Sequence, residues 1–316
     1  MVAAIGSPPL EEPPRMAITV PPEELLLRSA RLGDASGELI AVDPEAAGWT
    51  YCSLLVRRLA AGETWDHDPG PDEVCLVPLG GRCAVEAAGQ AWSIGGRASA
   101  FEGPPHALYL GRGTAFTVTA QGPLELAVCG ARAERVLPPR EIRPDEVAVE
   151  IRGAGNAARQ INHIVAPDFP ADKLLVVEVF TPSGNWSSFP PHKHDVSNLP
   201  READLEEIYY YRIHPTDGFA LQRLYTADGV TDAAYTIHDG DLLLVPEGYH
   251  AFAVAHGYTG YYLNILAGTE AVRTMQPSDD PRYAWVRSTW TDELNAGIAG
   301  YRDIADRVNG VAGRRD

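Results

Sequence analysis

Nine histidines are spread through 316 residues, and two of them stand two apart in Pro190-Pro191-His192-Lys193-His194. In an extended strand residues two apart share a face, so both imidazoles can aim at one point while Lys193 faces away. Downstream, Leu205-Glu206-Glu207-Ile208-Tyr209-Tyr210-Tyr211 opens a strand with two carboxylates. Further on, Gly240-Asp241-Leu242-Leu243-Leu244-Val245-Pro246-Glu247-Gly248-Tyr249-His250 reads as a turn glycine, an apolar strand and a Pro-x-Gly turn that delivers a histidine to the next strand. Two imidazoles, a carboxylate and a third imidazole suit a borderline divalent ion such as zinc, manganese, iron or nickel. Such a set leaves coordination positions for a substrate, which is the catalytic rather than the structural arrangement.

The elements that would position these groups are short strands. From about residue 16 to 135, β-like runs such as 51–59, 73–78, 82–87, 107–110 and 115–120 are cut by glycine-bearing breaks at Gly80-Gly81, Gly95-Gly96 and Gly111-Arg112-Gly113. The second half repeats the style over 174–181, 208–213, 219–225, 233–237, 242–245, 250–255 and 261–266, runs too short and too rich in β-branched and aromatic residues for helices. Two all-β units of similar length predict a duplicated barrel. The expected division is a loose proline-rich arm over 1–15, a first barrel over 16–140 with a linker near Leu137-Pro138-Pro139-Arg140, a second barrel over 141–290, and a helix and tail over 291–316. Only that tail has helical spacing, in Leu294, Ile298, Tyr301, Ile304 and Val308, with a frayed Gly-Arg-Arg-Asp end.

Composition narrows the function. Apolar types make up 45% and charged types 22%, as in ordinary globular chains. Against 26 basic residues stand 43 acidic ones, a formal charge of −17. Such a surface repels phosphate backbones and anionic lipid, so neither nucleic acid nor membrane is expected as a partner. An anionic substrate would need a local basic pocket set against the overall field. No apolar run approaches the ~20 residues of a membrane span, and the N-terminus lacks a secretory leader. Cys52, Cys75, Cys83 and Cys129 contain no CxxC pair and are expected as reduced thiols of a cytoplasmic protein. The Asn185-Trp186-Ser187 sequon is then irrelevant.

The order His-x-His, Glu, Gly-x5-Pro-x-Gly and late His is the cupin pattern. Two departures, the polar insertion 195–205 before the carboxylate and a histidine two residues after Gly248 rather than three, point to one subfamily. Its words are Gly184-Asn185-Trp186-Ser187-Ser188-Phe189-Pro190-Pro191-His192-Lys193-His194-Asp195, Asn198-Leu199-Pro200, Glu206-Glu207-Ile208-Tyr209-Tyr210-Tyr211, Gln222-Arg223, Val245-Pro246-Glu247-Gly248-Tyr249-His250, and Gly257-Tyr258 leading to Tyr261-Tyr262-Leu263-Asn264. Weaker matches lie at Phe101-Glu102-Gly103-Pro104, Arg152-Gly153-Ala154-Gly155 and 280–286. The chain thus resembles the 5-deoxy-glucuronate isomerases of myo-inositol catabolism, relatives of the 4-deoxyuronate isomerases of pectin breakdown. The resemblance implies a bicupin, two jelly-roll barrels with one metal in the C-terminal barrel. It also implies an aldose–ketose isomerisation of a small uronate, 5-deoxy-D-glucuronate, to 5-dehydro-2-deoxy-D-gluconate. Matched position by position, His192, His194, Glu207 and His250 would hold the ion, with zinc or manganese ahead of iron or nickel. Glu207 is preferred to Glu206 because the related isomerases place their ligand directly before a Val/Ile-Tyr pair. Alternation then sends Glu207, Tyr209 and Tyr211 into the cavity and Glu206, Ile208 and Tyr210 outward.

The remaining candidates are weaker. His67, in Asp66-His67-Asp68, reads as a solvated turn, and with no His-x-His word in the first half the first barrel is expected to be metal-free. His106 reads as structural, and His163, His214, His238 and His256 as exposed. Arg152-Gly153-Ala154-Gly155 lacks the third glycine and the following helix of a dinucleotide loop. Arg223 could grip the substrate carboxylate with its guanidinium fork, or be a surface arginine. Tyr262 and Asn264 share a strand face that could line the cavity. The proton could be moved by a metal-bound hydroxide, by Tyr262 or by a carboxylate of the insertion, or hydride could shift directly. Two rival functions use the same residues: a metal-dependent cupin dioxygenase and a non-catalytic sugar-binding bicupin. A homo-oligomer is left open.

Overall fold

Runs of Val, Leu, Ile and Tyr punctuated by glycine turns fold into four antiparallel sheets. The computed structural model describes residues 21–29 and 37–309; the 1–15 arm, the Val308 side chain and the 313–316 end lie outside the described residues. The first barrel pairs a six-stranded sheet, in the order Arg140–Ile142, Ala107–Leu110, Asp72–Gly80, Leu124–Arg132, Cys52–Leu59 and Glu38–Val42, with a four-stranded one, Thr64–His67, Phe116–Ala120, Arg82–Ala87 and Gln90–Gly95. Leu76, Val85, Ile94, Val118 and Leu126 fill the space between them.

The second barrel repeats the plan. Its larger sheet runs Leu26–Leu27, Leu242–Val245, Glu202–His214, Thr259–Gly268, Leu175–Thr181, Arg159–Val165 and Ala148–Arg152, and its smaller one Asp232–Ile237, Ala220–Tyr225, Tyr249–Val254, Trp186–Lys193 and Ser278–Asp279. Sheet membership crosses the boundary drawn near residue 140, because Leu26 and Leu27 pair with Leu243 and Leu242 while Arg140–Ile142 stays in the first barrel.

The two larger sheets pack against each other. Leu54, Val56, Cys75 and Val77 from the first barrel share one core cluster with Phe180, Ile208, Tyr210 and Ile265 from the second. Strands such as Leu124–Arg132 therefore have two buried faces, Leu126 turned to the barrel interior and Cys129 to the shared core. Buried and half-buried carboxylates stitch the interface by accepting backbone N–H bonds. Glu73 takes those of Asp172, Lys173 and Leu174 at 2.5–2.8 Å, and Glu206 takes those of Thr50, Tyr51 and Cys52 at 2.6–2.9 Å. Arg97 forks onto Glu178 with both bonds at 3.0 Å, and the same carboxylate accepts from Asn162 and Tyr261. All four cysteines are free and buried.

The tail departs from the single helix expected over 291–308. A 3₁₀ turn at Ala284–Thr289, a short helix at Asp292–Asn295 and a final helix at Tyr301–Asn309 replace it. Gly297, at φ +76°, adopts the left-handed backbone that ends helices. Leu294 is consequently exposed, while Ile304 is buried. No helix among the described residues is long and apolar enough to cross a membrane.

Candidate functional site

The strand Glu202–His214 carries the acidic ligand candidate, and its pleat separates the two neighbouring carboxylates. Glu207 is buried inside the second barrel, whereas Glu206 turns to the first barrel and its backbone amides. Tyr209 and Tyr211 follow Glu207 inward, with rings stacked at 5.7 Å. Tyr210 faces away from the cavity, as alternation requires, yet it is 1% exposed because the first barrel covers that side.

The insertion between His194 and Glu207 is a hairpin. Asp195–Asn198 pairs back onto Glu202–His214 across a turn closed by Arg201 N–H to Asn198 O at 2.9 Å. This fold-back sets the Leu205 carbonyl 3.1 Å from His194 Nδ1. His192, at the end of Trp186–Lys193, is paired directly with His250 in the neighbouring strand. The Pro246-Glu247-Gly248 turn ends there, and the Gly248 carbonyl lies 3.2 Å from His250 Nδ1. The Pro190 carbonyl stands 3.4 Å from His192 Nδ1. A carbonyl can only accept, so each Nδ1 carries a proton and, in the neutral ring, Nε2 presents a lone pair, the tautomer that metal-ligating histidines adopt.

Those lone pairs converge. One ligand atom each from His194, Glu207 and His250 lie within 4.8 Å of one another. His194 Nε2 is 2.9 Å and His250 Nε2 3.3 Å from Glu207 Oε2. The His192 ring stands beside them, 4.6 Å from that of His250. His250 Nε2 is fully buried without a hydrogen-bond partner. A buried lone pair without a donor is unusual, and a cation among these groups would satisfy it. The donor set of imidazole nitrogens and one carboxylate oxygen fits a borderline divalent ion.

Electrostatics keep two of the rings neutral. Burial pulls His250 down to about 3, only partly offset by Glu207. Burial also holds His192 well below the usual range, helped by the neighbouring His194 and by Arg159. Burial alone would lower His194 as well, but the Glu207 carboxylate, which accepts a hydrogen bond from the protonated ring, carries it upward.

Polar groups continue the inner face of the barrel. Tyr262 and Asn264 face inward across from Tyr211 and Tyr209. Tyr262 Oη donates to Ser187 Oγ at 3.1 Å, which also accepts from Thr181 Oγ1 at 2.9 Å. Ser188, at φ +51°, sets its hydroxyl 3.2 Å from Tyr209 Oη. Asn264 is occupied by the Ile208 carbonyl at 3.3 Å. The insertion's Asp195 and Glu202 are engaged by Lys193, and Asp195 also accepts the Gly248 amide.

Arg223 does not reach this cavity. Alternation along Ala220–Tyr225 points Gln222 inward and Arg223 outward, where it forks onto Asp232 at 2.8–2.9 Å and lies over the Tyr225 ring. Gln222 is fully buried, accepts from Tyr211 Oη at 3.3 Å, and has an unpartnered Nε2. The buried Ala220 and Leu224 on either side carry the period-two signal that would have selected it. His67 ends a strand and packs between Trp65 and Phe116 instead of sitting in a solvated turn. His106 pairs with Glu141 at 2.7 Å. His163 is half-buried against Glu150, not exposed, and His238 is half-buried beside Arg28 and Asp241; His214 and His256 are exposed.

Comparison with known proteins agrees with this architecture. The chain is 46% identical over 260 residues to a 5-deoxy-glucuronate isomerase of Geobacillus thermodenitrificans, covering 82% of this chain and 94% of that protein. It is 39% identical over 240 residues to the 5-deoxy-glucuronate isomerase of Bacillus subtilis, covering 75% and 88%. The crystal structure of an IolB-like protein from Salmonella typhimurium superposes with a TM-score of 0.80 at 40% identity, covering 83% of this chain and 99% of that one. The oxalate decarboxylase of Lactobacillus farciminis, at 10% identity and a TM-score of 0.57 over 94% and 98%, shares the two-barrel fold alone. The fold is a bicupin, and with a family model matching residues 25–286 the chain belongs to the KduI/IolB family.

Proposed function

We propose that the protein is a metal-dependent aldose–ketose isomerase that converts 5-deoxy-D-glucuronate to 5-dehydro-2-deoxy-D-gluconate. The observation that carries the reading is the convergence of His194, Glu207 and His250 in a barrel whose family relatives bear that activity. His192, His194, Glu207 and His250 would hold one divalent ion, zinc or manganese ahead of iron or nickel. Bound there, the ion supplies Lewis acidity toward the sugar's carbonyl and adjacent hydroxyl oxygens.

The chain's own residues handle protons and position. The backbone carbonyls behind the three imidazoles fix the ring orientations. Burial raises the Tyr262 phenol, so it stays protonated and acts as a hydrogen-bond donor. Ser187 accepts from both Tyr262 and Thr181, which keeps the phenol oriented along the cavity wall. We assign Tyr262 to turn its one proton from Ser187 to the substrate oxygen that gains charge as the C2 proton leaves. Replacing it by Phe should lower kcat on the order of a hundredfold, the usual size of a lost general-acid contact, measured by steady-state kinetics with bound metal unchanged.

The direct test is anaerobic incubation of the protein with 5-deoxy-glucuronate, followed by proton NMR. The ketose should accumulate with the wild type, and His194→Ala should abolish it. Oxygen-independent turnover also separates this reaction from oxygenase chemistry. Equal conversion by the variant contradicts the site assignment, and no conversion by the wild type contradicts the function.

A further inference from the structure

In a chain of formal charge −17, a buried cation with no carboxylate beside it requires an explanation. Arg159 is such a group. It opens the strand Arg159–Val165 and is 4% exposed. Strand register fixes its direction: Ile161 pairs with Val179, and Val179 with Tyr262. Arg159, two residues before Ile161, therefore shares the inner face with Tyr262, while Asn162 on the opposite face bonds Glu178 toward the first barrel.

Among the described residues the guanidinium makes one hydrogen bond, from Nη1 to the Ala157 carbonyl at 3.2 Å, and its carbon stands 6.0 Å from the Trp290 ring centre. Among the described residues no carboxylate lies within ion-pairing distance of it. The nearby acid Glu150 is occupied by Arg152 and His163. The backbone makes room for the guanidinium. Gly153, at φ +82°, would with a Cβ come within 2.9 Å of Arg159 Nη1 and 2.1 Å of the Ala157 carbonyl. The Arg152-Gly153-Ala154-Gly155 word, which suits no dinucleotide, thus has a physical role beside this side chain.

An unpaired buried guanidinium is unfavourable unless an anion arrives to meet it. Its planar fork matches a carboxylate with two parallel hydrogen bonds. We propose that Arg159 binds the carboxylate of the open-chain sugar acid and thereby sets which end of the chain faces His192, His194, Glu207 and His250. This rests on the isomerase reading above and deepens it, because it makes the acid group, rather than the sugar hydroxyls, the main determinant of substrate choice. It also supplies the local basic pocket that the acidic surface makes necessary.

The test is steady-state kinetics of the metal-loaded wild type, R159A and R159K on 5-deoxy-glucuronate, with thermal unfolding in parallel. R159A should raise KM about a hundredfold, the usual weight of a charge-assisted contact, and leave kcat within about tenfold. Added guanidinium ion should lower that KM again, which a purely structural role would not permit. R159K, with the charge but not the fork, should raise KM about tenfold. A folded R159A with unchanged KM, or with lost kcat at steady KM, overturns the assignment. If R159A does not fold, R159K decides alone, and an unchanged KM overturns the assignment. A wild type without conversion overturns the isomerase reading and Arg159's role with it, a result distinct from an active wild type indifferent to the substitution.

Discussion

At Gly248 the backbone sits at φ +92°, and an added Cβ would lie 2.7 Å from the Tyr225 carbonyl. Gly248→Ala should therefore destabilise the fold by about 2–3 kcal/mol, from left-handed strain and a backbone clash. It should also weaken metal binding, since the same residue's carbonyl orients His250; urea unfolding and metal titration would register the two effects separately. His250 itself predicts a pH dependence. Its proton affinity is about 3 when folded, against about 6.5 for an unfolded histidine. Between those values the unfolded chain takes up a proton that the folded one refuses, so stability is complete above 6.5 and is lost as pH falls. His192 acts in the same sense, and His194, which is raised, in the opposite one. For metal-free protein, His250 alone should remove about 2 kcal/mol between pH 6.5 and 5. Urea titrations at both pH values should show a smaller difference for His250→Asn; an equal difference would remove His250 as the cause. The identity of these groups was legible because His-x-His and Pro-x-Gly-x-His are local words. Of the two readings of Arg223, the surface arginine holds, because its neighbour Gln222 takes the inward position.

The strand Glu202–His214 shows what period two can and cannot convey. Alternation from Glu207 correctly separated the inward tyrosines from Glu206, Ile208 and Tyr210. It could not tell that the outward face lies against the first barrel, because a strand buried on both faces presents no polar side. Glu206 is the consequence: three backbone amides of residues 50–52 depend on its carboxylate. Glu206→Ala should cost about 2–3 kcal/mol in unfolding free energy, since partly buried donors lose their acceptor, while metal stoichiometry stays unchanged. A variant that instead lost the metal would show that the two faces of this strand are not independent. The strand Arg159–Val165 was not picked out from sequence at all. Arg159, Gln160 and Asn162 give it a polar text, yet each polar group serves a buried partner or the cavity.

The molecule as a whole combines a formal charge of −17 with a second-barrel interior where Arg159 and a bound divalent ion would outweigh the single carboxylate Glu207. That contrast would make the barrel interior the place where a small anion is favoured, whatever the field outside. The two barrels share one core cluster, bridged by Arg97 with Glu178 and by Glu73 with the 172–174 backbone. Heat should therefore unfold both barrels in one transition, with calorimetric and van't Hoff enthalpies in agreement; two resolved transitions would show that each barrel is stable alone. Duplication was readable from the rhythm of short strands, whereas the shared core was not, because contacts between distant segments leave no local pattern. The central claim is that one divalent ion held by His192, His194, Glu207 and His250 enables the isomerisation. It is tested most directly by stripping the protein with a chelator and following 5-deoxy-glucuronate by proton NMR before and after one equivalent of manganese or zinc. The account predicts no ketose from the stripped protein and restored turnover on adding the ion; full turnover by verified metal-free protein would contradict it.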